Sequence, residues 1–141
     1  EKIMRTIVNP KNPSEALHII YKKEDLESLD GRIDISDESQ FLQLAAMKIK
    51  KDHKFRGHKH LRLVRETDIT QECWIVIRGS VKTFHYDEDD NLIEENILNE
   101  GDATITFRGG HNYQSLSEDT LVYEIKTGPY MGQAKDKTFI E

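Results

Sequence analysis

Residues 73–107 read CWIVIRGSVKTFHYDEDDNLIEENILNEGDATITF, and this stretch decides the fold. It contains four short segments rich in β-branched and aromatic residues, at 73–77, 81–86, 92–98 and 103–107. Gly, Ser, Asn and Asp separate these segments, and such residues are typical of tight turns. Because no helical period runs through the stretch, it predicts consecutive antiparallel strands.

The same pattern continues on both sides of this stretch. Further strands are predicted at 41–50, 58–64, 111–115 and 120–126. Eight short strands without a confident helix indicate an all-β sandwich or barrel, because strands with one buried face must close on one another to hide it. Within the first 40 residues, a helix starting near Pro13 and an edge strand at 17–21 both fit the sequence. We expect residues 1–40 to form an N-terminal arm on the barrel or on a partner subunit, with the barrel at 41–127 and a C-terminal tail at 128–141.

Length and charge limit the classes of function. The chain has 141 residues, which suits one domain, and its formal net charge is −6. A negative protein is not drawn to phosphate backbones or anionic lipids, so we expect neither nucleic acid nor a membrane as partner. No apolar run is long enough to span a bilayer, and we expect a cytoplasmic protein. The single cysteine, Cys73, excludes an intramolecular disulfide and a cysteine-rich zinc site.

Histidines suggest a metal site. His58-Lys59-His60 lies in a predicted strand, where alternate side chains point to the same face. The two imidazoles are therefore able to converge on one ion. Glu72 begins the next strand and by the same alternation shares a face with Trp74, whereas Cys73 faces the other way. His111 follows Gly109-Gly110, a pair that lets the backbone turn sharply and direct the imidazole inward.

These residues carry a family resemblance. His58-x-His60, Glu72 and Gly79 resemble the first conserved motif of the cupin superfamily, and residues 101–111 resemble the second. The resemblance implies a cupin-type jelly-roll barrel that binds one divalent metal ion per chain (Fe, Mn, Ni or Zn). The implied ligands are His58, His60, Glu72 and His111. The tail, with Gly128-Pro129-Tyr130, is similar to that of small cupins encoded beside bacterial surface-polysaccharide genes.

The resemblance also implies a function. We expect a metal-dependent enzyme that acts on a small polar molecule such as a sugar or sugar nucleotide, by isomerisation, epimerisation or oxygenation, with Glu72 as the catalytic residue. The alternative is a non-catalytic cupin binding module that holds a structural metal or a sensed ligand, and a third hypothesis is a purely structural jelly roll. Because cupins commonly pair through barrel faces and N-terminal arms, a homodimer is expected.

Several other side chains are assigned to the pocket, the core or the surface. The pocket candidates are Trp74, Arg78, Tyr113, Tyr123 and Tyr130. Core packing is the simpler interpretation for Trp74, Phe84 and Phe107, and a surface position is the simpler one for His53 and His85. The acidic run 87–91 is interpreted as a solvated hairpin tip, because it lacks the ligand spacing of a helix-loop-helix calcium site.

Overall fold

The computed structural model describes residues 4–140 and is built almost entirely from β-strands. The strands are β1 (Met4–Asn9), β2 (Asn12–Tyr21), β3 (Gly31–Asp34), β4 (Ala45–Lys48), β5 (Glu72–Arg78), β6 (Val81–Tyr86), β7 (Leu92–Leu98), β8 (Ala103–Thr106), β9 (His111–Ser115) and β10 (Leu121–Lys126). Two single helical turns, Lys23–Leu26 and Gln133–Asp136, complete the described elements.

The strands form three antiparallel sheets. A five-stranded sheet has the order β1-β2-β8-β5-β10, a three-stranded sheet has the order β7-β6-β9, and β3 pairs with β4 as a separate hairpin. The all-β prediction is confirmed. The jelly-roll barrel is not confirmed, because the sheets are not closed into a barrel.

Two apolar clusters hold these layers together. One lies between the five-stranded and three-stranded sheets and includes Val76, Val81 and Leu98. The other lies on the opposite face of the five-stranded sheet, where Ile105 and Phe107 pack beneath residues of the β3–β4 hairpin. The five-stranded sheet is thus covered on both faces, which explains why all four residues of β8 are buried and why β5 is apolar between its charged ends.

The strand predictions are accurate from β5 onward and less so before it. All five predicted strands between residues 73 and 115, and the one at 120–126, occur with end shifts of one residue or so. The predicted strand 41–50 is reduced to β4. The predicted strand 58–64 is wrong, because that segment has no regular pairing and is exposed along its whole length.

The structure also defines the secondary structure of residues 4–40. The helix alternative near Pro13 is wrong, because Asn12–Tyr21 is a ten-residue strand. It lies between β1 and β8, so it is an interior strand and not an edge. Its last five residues are all buried, as expected for a strand with both faces covered.

A glycine turn between β8 and β9 is fixed against β6. Gly109 has a φ of +88°, which side chains rarely adopt, and a Cβ there would lie 2.4 Å from the Tyr86 carbonyl oxygen. The neighbouring Gly110 N–H donates to that same oxygen at 3.2 Å, and the Tyr86 N–H donates to the Gly110 carbonyl at 2.8 Å. Since His111 follows directly, this turn sets where its imidazole enters the space between the sheets.

Substitution Gly109→Ala should therefore destabilise the protein by about 3 kcal/mol, the sum of left-handed strain and a backbone clash. Urea unfolding of the variant measures this loss. Gly57→Ala is the matched control, because a Cβ at Gly57 would meet nothing within 4 Å. Equal stabilities for the two variants would contradict the proposed role of the turn.

Candidate active site

The polar residues between the two main sheets come from neighbouring strands. Glu72 of β5 and His18 of β2 both lie opposite Thr106 of β8, so these three side chains share one face of the five-stranded sheet. His111 of β9 and His85 of β6 pair across the three-stranded sheet and face them. The space between the two sheets thus contains a polar cluster at one end and the apolar cluster of Val76, Val81 and Leu98 at the other.

The Glu72–His111 pair forms the partly open side of this cluster. Glu72 Oε2 lies 2.7 Å from His111 Nε2, and the two side chains are 13% and 24% exposed. Burial by itself raises the pKa of Glu72. The hydrogen bond and charge of His111, a hydrogen bond with Glu124 and the charge of Lys126 outweigh burial and lower that pKa overall. Glu72 is therefore a carboxylate at neutral pH.

Hydrogen bonds extend this pair into the interior. His111 Nδ1 lies 2.9 Å from Thr106 Oγ1, which in turn lies 2.8 Å from His18 Nδ1. His18 Nε2 lies 2.9 Å from the Tyr86 carbonyl oxygen, the atom that the glycine turn contacts. Four side chains and one backbone carbonyl thus form a continuous series.

The donor and the acceptor of each hydrogen bond in this series can be assigned in turn. A carbonyl only accepts, so His18 Nε2 carries a hydrogen. Desolvation lowers the pKa of His18 to about 4, so its ring is neutral and its Nδ1 accepts the Thr106 hydroxyl hydrogen. Thr106 Oγ1 must then accept from His111 Nδ1, while His111 Nε2 donates to Glu72. The hydrogen bonds therefore run from His111 in both directions, toward Glu72 and toward Thr106.

His85 is a second buried imidazole beside this series. Its ring lies 4.6 Å from that of His18, and its Nε2 lies 3.1 Å from Thr104 Oγ1. Desolvation, with the nearby histidines, lowers the pKa of His85 to about 3. Its Nδ1 has no hydrogen-bond partner among the described residues. The prediction that His85 is a surface residue is wrong, because the inward face of β6 carries Val81, Thr83 and His85.

Two aromatic residues form a wall next to the pair. The Trp74 and Tyr113 rings stack at 3.6 Å with an interplanar angle of 5°. The Tyr113 hydroxyl lies 3.2 Å from His111 Nδ1, and burial raises the pKa of Tyr113 well above its usual value, so it stays a neutral phenol. The Trp74 indole N–H donates to Glu124 at 3.1 Å. Trp74 and Tyr113 therefore lie where the sequence places pocket candidates.

The other predicted pocket residues lie elsewhere. Arg78, at the far end of β5, donates to the Asp119 carbonyl. Tyr123 and Tyr130 are exposed, and the Lys126 ammonium group lies 4.6 Å from the centre of the Tyr130 ring. An open groove of about 620 Å³ lies on the opposite face of the sheet, lined in part by Asp34, Asp37 and Phe107, and it does not include Glu72 or His111.

The four predicted metal ligands do not meet. Glu72 and His111 are in contact, but His58 and His60 lie in the exposed segment between β4 and β5, where their ring centroids are 5.3 Å apart in an edge-to-face arrangement. His58 Nδ1 donates to the Arg56 carbonyl at 2.9 Å. Among residues 4–140, no three His, Cys, Asp or Glu side chains are placed to hold a metal ion.

Cys73 lies on the opposite face of β5 from Glu72, as the strand alternation predicts. Its side chain is 2% exposed and packs in the apolar cluster with Ile105 and Phe107. Burial, with the charge of Glu72, raises the pKa of the Cys73 thiol to about 12. The thiol is therefore protonated and shielded from His111.

Comparison with known families provides the assignment. A family model described as 3C cysteine protease (picornain 3C) matches residues 3–127, most of the chain. The chain belongs to the 3C cysteine protease family. No curated protein and no solved structure matches the chain. Among residues 4–140, no helix has the length and apolar character needed to cross a membrane.

Membership in the 3C cysteine protease family corrects the functional predictions. The cupin assignment is wrong, and with it the metal-dependent isomerase, epimerase or oxygenase and the cupin binding module. The expected divalent metal cofactor is also wrong, because the family is named for a thiol enzyme and the four proposed ligands do not form one group. The expectation of an enzyme is supported at a coarser level, since the family is one of peptidases.

The sequence did not point to several residues that the site contains. His18 and Thr106 link the pair to the interior, and neither lies in a motif. His18 is separated from Thr106 by 88 positions, so only the pairing of β2 with β8 brings them together. The one available signal for His18 is its place in the uniformly buried second half of β2, where a histidine among apolar residues requires polar partners.

Proposed function

We propose that this chain is a peptidase-type hydrolase that works by acid–base chemistry at Glu72 and His111 and forms no thioester at Cys73. One observation carries this proposal: the carboxylate and the imidazole are paired at 2.7 Å at a partly open site, while the only cysteine is buried on the other face of the same strand. A cysteine protease needs a thiolate next to a base. Cys73 has neither property in this arrangement.

The direction of the Glu72–His111 hydrogen bond assigns the two roles. The Glu72 carboxylate is the group able to accept a proton, so it acts as the general base on a water molecule. The resulting hydroxide attacks the carbonyl carbon of the amide and gives a tetrahedral adduct. Once Glu72 holds the water proton, it no longer accepts from His111 Nε2, and that Nε2 proton passes to the amine nitrogen as the C–N bond breaks. Proton transfer from water to Glu72 and then back through the pair to His111 restores the starting state.

The remaining network positions His111 for this role. Thr106 accepts from His111 Nδ1, so the ring is held at both nitrogens and cannot rotate freely. His18, fixed by Tyr86, in turn holds Thr106. The stacked Trp74 and Tyr113 rings lie beside the pair and offer an apolar surface to a substrate side chain.

Cleavage of a quenched fluorescent peptide library tests this proposal. Glu72→Gln and His111→Asn should each lower kcat/KM by about 100-fold or more, because each removes one partner of the acid–base pair. Cys73→Ala should retain activity within about twofold, since the thiol takes no part. Circular dichroism checks that all three variants are folded.

Two results would refute the proposal. One is loss of activity in Cys73→Ala with retention in Glu72→Gln, which would return catalysis to the thiol. The other is a wild-type protein that cleaves no peptide of the library.

A further inference from the structure

The long connection between β4 and β5 is a basic, exposed segment. Residues 48–65, here called the basic arm, contain eight basic residues and one acidic residue, Asp52; the basic residues are Lys48, Lys50, Lys51, Lys54, Arg56, Lys59, Arg62 and Arg65. The whole chain has 20 basic and 26 acidic residues, so the remainder has 12 basic and 25 acidic residues. The arm therefore carries +7 and the remainder −13.

The basic arm also exposes large apolar side chains. Phe55 is 56% exposed, Leu61 86%, Leu63 67% and Val64 85%. All positions from 47 to 68 are exposed, and residues 54–67 form no helix or strand. A connection of this length without secondary structure is uncommon in a small domain, and such segments are either functional or linkers. Covering such exposed apolar side chains with a partner surface lowers the free energy of the system.

Strand β7 and its flanking turns carry negative charge, opposite in sign to that of the basic arm. Segment 87–102, which contains β7, has eight acidic residues and no Lys or Arg; the acidic residues are Asp87, Glu88, Asp89, Asp90, Glu94, Glu95, Glu100 and Asp102. Four basic residues from elsewhere pair with it, namely Arg5, Lys11, Lys22 and Lys82. Eight negative charges against four positive ones leave this region with an excess of −4.

The outer edge of β7 has no strand partner within residues 4–140, although the Lys22 ammonium group donates to the Ile97 carbonyl. β7 is the last strand of the three-stranded sheet, and its other edge pairs with β6. Leu92 and Ile97 on this strand are 48% and 50% exposed. An edge strand presents a row of backbone N–H and C=O groups to which another extended segment can pair.

We propose that residues 58–64 of the basic arm add as an extra strand to β7 of a second copy of this chain, reciprocally, in a twofold dimer. The arm segment and β7 each have seven residues, and the strand-like sequence of 58–64 has no partner within the described residues of one copy. Pairing would place the Lys and Arg side chains of one copy among the acidic side chains of the other. It would also cover Leu61 and Leu63 with the apolar residues of β7.

A second copy fits this arm better than nucleic acid or an anionic membrane does. Both of those partners are polyanions and would meet a remainder of the chain that carries −13. The acidic β7 region of a second copy offers negative charge together with a free strand edge of matching length. This proposal is independent of the acid–base chemistry proposed for Glu72 and His111.

Sedimentation velocity across a range of protein concentrations tests the dimer. Two charge-reversed proteins are compared with the wild type: an arm variant, Lys59→Glu with Arg62→Glu, and an edge variant, Glu88→Lys with Glu100→Lys. The wild type should be a dimer that weakens as salt rises. Each variant should associate at least about tenfold more weakly, and an equimolar mixture of the two should recover a heterodimer.

A charge-reversed variant outside the arm serves as the control for the dimer experiment. Lys135→Glu with Lys137→Glu changes two exposed basic residues outside the arm and should dimerise like the wild type. A monomeric wild type at the highest concentration would overturn the proposal, as would variants that dimerise normally. Binding of the wild type to phosphatidylserine vesicles or to single-stranded RNA without self-association would assign the arm to a different partner and reject the dimer.

Discussion

Cys73 in the folded protein is expected to react with iodoacetamide about a thousand times more slowly than the same thiol in the unfolded chain at about pH 8. The thiolate is the reacting form, and burial raises the pKa of Cys73 from 9.0 to about 12. Ionisation alone accounts for the factor of about a thousand, and the 2% exposure of the side chain slows the reaction further. Mass spectrometry of samples quenched over time measures the modified fraction.

The same reaction in denaturant provides the control, because unfolding exposes the thiol and should restore ordinary reactivity. Full modification of the denatured protein, combined with slow modification of a separate native sample, would support a structural role for Cys73. Fast modification of the native protein would contradict the proposed mechanism. It would mean that the thiol opens to solvent and becomes available as the nucleophile that the family name implies.

The features of the site that depend only on the alternation of side-chain directions along a strand could be predicted from the sequence. Glu72 and Cys73 are adjacent in β5, and a strand directs adjacent side chains to opposite faces. The structure has this arrangement, with Glu72 in the polar cluster and Cys73 in the apolar one. The inward direction of His111 was also predictable, because the two preceding glycines allow the turn that it requires.

Features that depend on a partner strand could not be predicted in this way. The alternation in 58–64 is compatible with a strand, but a strand forms only where a neighbour supplies hydrogen bonds, and the described residues of one copy supply none. The expected surface position of His85 is wrong because alternation alone does not say which face of β6 is buried. Which face of that strand is buried depends on the opposing sheet, where Thr104 supplies a hydrogen bond to His85.

The cupin resemblance was wrong for a related reason. It rested on the spacing of His58, His60, Glu72 and His111, and spacing in sequence does not establish proximity in space. Two of the four residues, Glu72 and His111, do meet, because β5 and β9 lie in facing sheets. The partners that complete their surroundings are Thr106 and His18, which belong to no spaced motif.

Acidification from about pH 7.5 to pH 5 is expected to lower the free energy of unfolding by about 4 kcal/mol through His18 and His85. Both side chains are fully buried, and their pKa values fall from 6.5 to about 4 and about 3 in the folded state. The unfolded chain therefore binds protons below about pH 6.5 that the folded chain does not. The associated stability is present above pH 6.5 and is lost as the pH falls toward the folded values.

The buried carboxylates do not account for this loss. The pKa values of Glu72 and Glu94 are lowered in the folded state, so their contribution persists above the ordinary carboxyl pKa and disappears only at lower pH. Urea unfolding at a series of pH values measures the dependence. His85→Gln, which removes one titrating ring, should reduce the loss by about half.

The exposed His53 provides the matched control for this prediction. His53→Gln removes an imidazole that is already in water, so its pH dependence should equal that of the wild type. If His85→Gln retained the full loss, the buried ring could not be the group that takes up the proton. A flat stability profile in the wild type would mean that both rings already open to solvent, and the satisfied network that holds His111 against Glu72 would not exist in solution.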